Sequence, residues 1–407
     1  MHQPFITREI LTEKAKRSKL ETIFRRSRLP CDLSNLKSQA RHVAKLISHA
    51  RTTYFKSIIA RCSNQPKKLW SCFNSLLCRS SPTTLPSTQS NSDLASAFLD
   101  FFSAKIAKLS AAFSSTPVSP SDHSSSTTLP VLSTFKPATL EEVRAAIMQS
   151  SNSSCSLDTV PTFLLKSCLE ALLQPITNIV NLSLIKGTFP LSFKHAILRP
   201  LLKKSSLPHE DLSSYRPVSN LNFISKVIEK IVATRLSDHL NTFSLRSPFQ
   251  SAYRKFHSIE TALLRISNDI LLACEQQKVT ALVLLDLSAA FDTIDHSMLL
   301  SRLSTTFGIT GSALDFFTSY LSHRTQSVLI GSDSSPPSPL CTGVPQGSVL
   351  GPLLFCLYTT PLSTILSAFP VTPHFYADDT QLYISFSATE LDTSLRELTA
   401  TLDLTHI

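Results

Sequence analysis

Apolar positions recur along this chain at two spacings, and the changes between them mark its parts. Over residues 8–80 the spacing is helical: Leu36, Ala40, Val43, Ile47 and Ile58 fall close to one stripe, with Arg41, Lys45, Arg51 and Lys56 on the remaining surface. Trp70, Phe73 and Leu77 mark another short helix after Lys67-Lys68. Residues 81–109 read as a linker and a helix carrying Leu94, Phe98, Phe101 and Phe102. Residues 110–137 are rich in Ser, Thr and Pro, and such a segment buries too little apolar surface to offset its ordering entropy, so a flexible linker is expected there.

Order resumes at Thr139-Leu140-Glu141-Glu142, the pattern of a capping box, with Leu140, Val143 and Ile147 inward. A longer helix follows Pro161, and Pro175 is expected to kink or end it. From about 196 onward strands and helices mix. Ala196–Leu202 reads as a strand, residues 222–240 and 258–277 as helices, the second with Ile259, Leu263, Ile266, Ile270 and Cys274 on one face. Ala281-Leu282-Val283-Leu284-Leu285 is an unbroken apolar run, the mark of a central strand covered on both faces. Helices near 297–303 and 312–323 precede a strand at 325–330, and a further helix is expected over 348–368. Residues 374–386 alternate as a hairpin does, and Leu391, Leu395, Leu398 and Leu402 make a last amphipathic helix. The fold class is therefore α+β, an antiparallel sheet flanked by helices and preceded by a basic helical region over residues 1–80.

Charge sharpens that division. The formal net charge is +10, yet residues 1–80 hold 17 Lys and Arg against 4 Asp and Glu, so the whole basic excess lies in the first fifth. A concentrated basic segment fits a polyphosphate partner or a solvated helical face. The nine cysteines are scattered without a C-x-x-C pair, which argues against a zinc site or a disulfide framework. No apolar run reaches membrane-spanning length, and the first residues lack the apolar core of a signal peptide.

Three short segments carry the chemistry. Asp286 closes the apolar run, Asp378-Asp379 sits in an aromatic, apolar stretch, and between them Gly343-Val344-Pro345-Gln346-Gly347-Ser348-Val349-Leu350-Gly351 holds three of the chain's seven glycines. Glycine suits a positive φ or a close approach by another group. Aspartate also starts turns, so Asp286 alone says little. Adjacent carboxylates raise each other's pKa unless a cation neutralises them. On a strand, neighbouring side chains point to opposite faces, so Asp378 and Asp379 share a site only if the turn twists between them, with Asp378 the firmer ligand. Oxygen donors of this kind suit Mg²⁺ or Mn²⁺, and two such ions activate a hydroxyl and stabilise a leaving phosphate.

In order, AILRPLLKK (from Ala196), SYRPVSNL (from Ser214), QSAYRKFH (from Gln250), LDLSAAFDTIDH (from Leu285), GVPQGSVLGPLLF (from Gly343) and YADD (from Tyr376) resemble the reverse transcriptase domain of LINE-type, non-LTR retrotransposons. Each piece alone is common; the six in sequence are specific. Leu157-Asp158-Thr159-Val160-Pro161 and the Lys67-Lys68-Leu69-Trp70 region resemble upstream parts of that family.

The resemblance implies the fingers and palm of a right-hand polymerase over 138–407, catalysing two-metal nucleotidyl transfer with template RNA, a DNA primer and deoxynucleoside triphosphates. It assigns Asp286, Asp378 and Asp379 to catalysis, with Leu287 beside them in the metal set. It assigns Arg216 and Lys203 or Lys204 to phosphates, Phe291 to the nucleotide sugar, Gln346 and Gly347 to the template and nucleotide, and Lys67, Lys68 and Arg254 to nucleic acid. It also implies a nuclear location. Ala252-Tyr253 stand where the family has glycine and an aromatic residue. The chain ends 28 residues after Asp379, before the family's thumb, so a fragment is expected. Two other readings fit parts of the sequence: an inactive retroelement remnant that only binds nucleic acid, and an intron-encoded maturase.

Overall fold

A computed structural model describes residues 5–62, 85–86, 90–113, 130–287 and 289–404. It divides the chain into two units, Met1–Thr84 and Leu85–Ile407.

The first unit is a helical hairpin. Helix α1 (Arg8–Ser27) starts at Thr7, whose hydroxyl accepts from the Ile10 N–H, and ends at Arg28 in the left-handed region. Helix α2 (Pro30–Cys62) packs back along it. Among the described residues of this unit Ile10 and Val43 are buried, while Arg41, Lys45, Arg51 and Lys56 are exposed. The Lys67-Lys68-Leu69-Trp70 region lies outside the described residues.

The second unit is α+β. Helix α3 (Asn91–Phe113) lays Leu94, Phe98 and Phe102 on a mixed sheet. That sheet has the order β2 (Tyr215–Asn220), β1 (His195–Leu202), β4 (Arg324–Ile330), β5 (Asp333–Ser334), with β6 (Ser338–Leu340) also on β4. Strand β1 runs antiparallel to β2 and parallel to β4. The parallel step needs a long crossover, and the intervening chain supplies it.

The main core is helical. It joins α4 (Leu140–Met148), α5 (Thr162–Ser167), α6 (Leu169–Lys186), α7 (Phe223–Thr242), α9 (His296–Thr305), α10 (Gly311–Leu321) and α11 (Gly351–Tyr358) through Val143, Leu184, Val232, Leu303, Phe316 and Leu354. The amphipathic α8 (Ile259–Glu275) buries Ala262, Ile266 and Ala273.

The second sheet is antiparallel, in the order β3 (Val279–Asp286), β8 (Asp379–Phe386), β7 (Thr372–Tyr376). One face packs on α12 (Thr360–Leu366) and α13 (Leu391–Leu404), joining Leu366, Phe375, Leu382, Ile384 and Leu398.

Several sequence expectations change. The apolar run of β3 is not a doubly covered central strand. Among the described residues it pairs only with β8, and Leu282 and Leu284 stay 41% and 69% exposed on the face away from the core around Leu382 and Ile384. Pro175 lies inside α6, and the break falls at Cys168. The helix expected over 348–368 is two, α11 and α12, separated at Thr359. Ile259 and Leu263 are exposed, so the buried stripe of α8 is turned from the expected one.

The expected linker is described only at its ends. Helix α3 runs on to Phe113, and residues 130–137 lie against the core, with Leu132 bridging Ile309 and Phe135 packed edge-on to Phe316. Those two apolar side chains give the end of an otherwise polar stretch something to bury.

The capping box at Thr139 forms: its hydroxyl accepts from the Glu142 N–H while Glu142 reaches back to the Thr139 N–H. Glu142 also pairs with Arg235 of α7 at 2.7 Å. The Arg235 guanidinium lowers the Glu142 carboxyl from 4.5 to about 2. A depressed carboxylate adds stability above its unfolded pKa and loses it as pH falls through the folded value. Because the pair is partly exposed, the contribution is about 1 kcal/mol. Glu142→Gln is expected to lower unfolding stability by about that amount at pH 7, and to remove the part of the acid dependence between pH 4.5 and about 2 that arises here, read by urea titrations across that range.

Candidate active site

The register of β3 on β8 sets the site. Asp286 pairs with Asp379, at the end where Tyr376 of β7 also pairs with Asp379. Directly opposed residues of an antiparallel pair present their side chains on one face. Ala377 and Asp378 make the two-residue link between β7 and β8. Of these, Ala377 alone has a positive φ, 58°, as a turn with the left-handed position first requires. Glycine normally fills that position, and an alanine there costs about 1–2 kcal/mol. The turn thus sets the direction of Asp378 independently of the strand alternation that governs Asp379. Burial pushes the Asp378 carboxyl above its ordinary value, and the charges of Asp379 and Asp286 push it the same way.

A cavity of about 590 Å³ opens beside these acids. Asp286, Leu287 and Asp378 line it, whereas Asp379 does not. Lys105 of α3, Lys203 after β1 and Arg216 of β2 line it too. Lys204 does not line it; Lys203 donates to the Ser213 carbonyl at 2.9 Å. Acidic and basic side chains therefore share the lining of one cavity. Lys105 escaped the sequence reading because it belongs to a helix some 180 residues before the acids, and only its place on the lysine-bearing side of α3 hinted at a role.

Phe291 also lines the cavity and packs on Phe355 at 4.9 Å between ring centroids. Gln346 reaches it too, but its amide nitrogen is taken: it donates to both oxygens of Asp292, at 2.9 and 2.8 Å. Burial pushes the Asp292 carboxyl up, while the Gln346 amide and Lys105 pull it back. Asp292 was missed, although an acid inside Ala-Ala-Phe-Asp is the kind of half-buried polar group that needs a partner. Its bond to Gln346 leaves that amide's oxygen as the group free to face the cavity.

The glycine loop proves to be packed against its own chain. Gly343 has φ 78°, and a Cβ there would meet the Asp292 backbone at 2.7 Å. Its N–H donates to the Ile294 carbonyl at 2.7 Å, and the Val344 N–H to that of Phe291 at 2.8 Å. Gly347 has φ 125°, and a Cβ there would stand 2.6 Å from the Ser219 carbonyl oxygen. The Ser219 N–H donates to the Gln346 carbonyl at 2.9 Å. The close approach that requires glycine is thus to the segment after Asp286 and to the end of β2.

Glu229, buried in α7, receives the Val349 and Leu350 N–H groups at 2.6 and 3.1 Å. An acid on a helix face otherwise made of Val227, Ile228, Ile231 and Val232 was the overlooked signal for this anchor. Arg254 is occupied locally, donating to the Ser247 and Gln250 carbonyls at 3.4 and 3.3 Å. Lys67 and Lys68 lie outside the described residues.

Among the described residues no three His, Cys, Asp or Glu side chains are gathered closely enough to hold a metal ion alone. The oxygen-only donor set and the uncompensated charge around Asp378 nonetheless fit a hard divalent cation completed by substrate phosphates.

Residues 202–405 match the family described as reverse transcriptase (RNA-dependent DNA polymerase). The chain belongs to that family. It is 28% identical over 411 residues to the probable RNA-directed DNA polymerase from transposon BS of Drosophila melanogaster, covering 97% of this chain and 45% of that protein. It is 31% identical over 225 residues to the probable RNA-directed DNA polymerase from transposon X-element of the same species, covering 55% of this chain and 24% of that protein. To the RNA-directed DNA polymerase from mobile element jockey, also of that species, it is 32% identical over 213 residues, covering 51% and 23%. The chain thus spans less than half the length of these relatives.

Gly343→Ala should force both a strained φ and a collision with the Asp292 backbone. A loss of about 3 kcal/mol in unfolding free energy is expected from chemical denaturation.

Proposed function

We propose that this chain is the fingers and palm of an RNA-directed DNA polymerase that adds deoxynucleotides to a DNA primer on an RNA template. The sheet β3-β8-β7 with α12 and α13 would be the palm, and the sheet around β1 with α3 the fingers. What carries the reading is the register that sets Asp286 against Asp379, with Asp378 at the adjoining turn, and the one cavity that Asp286 and Asp378 line together with Lys105, Lys203 and Arg216. The polymerase names of the relatives support it.

In this proposal Asp286 and Asp378, with Asp379 and the Leu287 backbone beside them, hold two Mg²⁺ ions, or Mn²⁺ in their place. Bound there, the ions supply activation of the primer 3′-hydroxyl and neutralisation of the departing pyrophosphate. The new bond joins the primer 3′-oxygen to the α-phosphorus, and the bond from that phosphorus to the bridging oxygen of the pyrophosphate breaks. Lys203 and Arg216 grip the phosphates, the guanidinium through its planar fork. Phe291 sits under the sugar, where a side chain already wedged on Phe355 cannot move aside for a 2′-hydroxyl. Gln346, held by Asp292, touches the nascent pair. Most of the acceleration comes from positioning and charge neutralisation. A polymerase copying a mobile element into chromosomal DNA works in the nucleus.

Primer extension on RNA with Mg²⁺ should proceed with the unaltered chain and fall by about 10³-fold or more in Asp286→Ala and in Asp378→Ala. Equal incorporation by the unaltered and Asp286→Ala chains sinks the proposal. Absence of incorporation in all of them, with RNA still retained on filters, would favour a remnant that only binds nucleic acid.

The exposed cations of α2 are proposed to contact nucleic-acid phosphates. Replacing Arg41, Lys45, Arg51 and Lys56 together with Ala should make the fall of log affinity with log salt shallower by about 3 for single-stranded RNA. An unchanged slope in filter binding would assign those residues to a solvated surface.

A further inference from the structure

Resting on the polymerase reading, we infer that Gln250 is the positioning residue that holds the Asp378 turn in its working conformation. Gln250 is buried, 8% exposed, at an isolated bridge between two turns after α7. The segment pairs with β7: the Phe375 N–H donates to the Phe249 carbonyl and the Ser251 N–H to the Phe375 carbonyl, each at 2.9 Å. From there the Gln250 side chain extends to the tip of the hairpin. Its Oε1 accepts from the Ala377 N–H at 3.1 Å and from the Ala252 N–H at 2.9 Å. Its Nε2 donates to the Ala377 carbonyl at 3.4 Å. One amide therefore brackets both polar groups of Ala377.

Ala377 is the residue at φ 58°, a conformation that alanine disfavours. A two-residue turn built on alanine relaxes unless something outside it fixes the peptide. Gln250 supplies that constraint, and Asp378 is the next residue along. The neighbouring Ser251 braces the same hairpin from its other side: its hydroxyl meets His374 Nε2 at 3.0 Å, and His374 Nδ1 meets Gln381 Oε1 at 2.9 Å.

The chemistry selects glutamine. Glutamate at this position would keep acceptors for the two N–H groups, lose the donor to the Ala377 carbonyl and add a negative charge beside Asp378. Alanine would leave Ala377 without its bracket. Glycine at 377 would occupy φ 58° freely and need the bracket less.

The experiment compares the unaltered chain with Gln250→Ala, Gln250→Glu, Ala377→Gly and Gln250→Ala/Ala377→Gly, by amide hydrogen exchange and by primer extension with Mg²⁺. In Gln250→Ala, exchange over residues 376–380 should quicken about tenfold while α6 stays protected as before. The kcat should fall about 10²-fold with KM for the nucleotide little changed, because the loss is one of geometry at Asp378. Gln250→Glu should fall as well. Ala377→Gly should return part of the lost kcat in the Gln250→Ala background, which a general loss of folding would not permit. Unchanged exchange over 376–380 in Gln250→Ala, or no recovery by Ala377→Gly in an active chain, overturns the inference. If the unaltered chain incorporates nothing, the polymerase reading fails while exchange still decides whether Gln250 holds the turn.

Discussion

The antiparallel pairing of β3 with β8 brings together charges that repel. Asp286 and Asp379 are opposed in register, and Asp378 sits at the adjoining turn. Like charges at such distances oppose folding. The fold offsets this with apolar burial on the other face, where β8 and α13 share a core through Leu382, Ile384 and Leu398. The sheet is held from behind while its charged edge stays open to the cavity. The cavity beside this edge is lined by Asp286 and Asp378 and also by Lys105, Lys203 and Arg216.

The glycine loop and the segment after Asp286 form one braced unit. Gly343 lies on the Asp292 backbone, Gln346 is held by the Asp292 carboxylate, and Gly347 lies on Ser219 of β2. Glu229 accepts from the Val349 and Leu350 amides further along. Together the contacts fix the loop to β2, to the segment after β3 and to α7 at once. This is how a stretch without regular structure keeps one conformation: backbone hydrogen bonds at Gly343, Val344, Gln346 and Ser348 and close backbone approaches at Gly343 and Gly347 hold it.

Helix α3 links the sheet around β1 to the chemistry. Phe98 meets Tyr215 edge-on at 5.1 Å between centroids, next to Arg216, and Lys105 lies two turns further along the same helix. Packing by the aromatic residues of α3 thus helps to hold Lys105 in the lining of the cavity.

Local pattern determined a good deal of this. The capping box at Thr139, helix α7, the hairpin of β7 and β8 and the amphipathic last helix follow from side-chain chemistry within a few residues of each element, and the order of acid, glycine loop and acid pair is local too. The exposure of Leu282 and Leu284 could not be read that way, because an apolar strand looks the same at the edge of a sheet as at its centre. Nor could the partners of Gln250, Asp292 and Glu229, each of which bonds to a segment more than 50 residues away in the chain. The sequence by itself determined which residues carry charge and where the backbone needs glycine. Tertiary structure alone decided which of them meet, since register and loop contacts depend on how distant segments share a surface that no local spacing encodes.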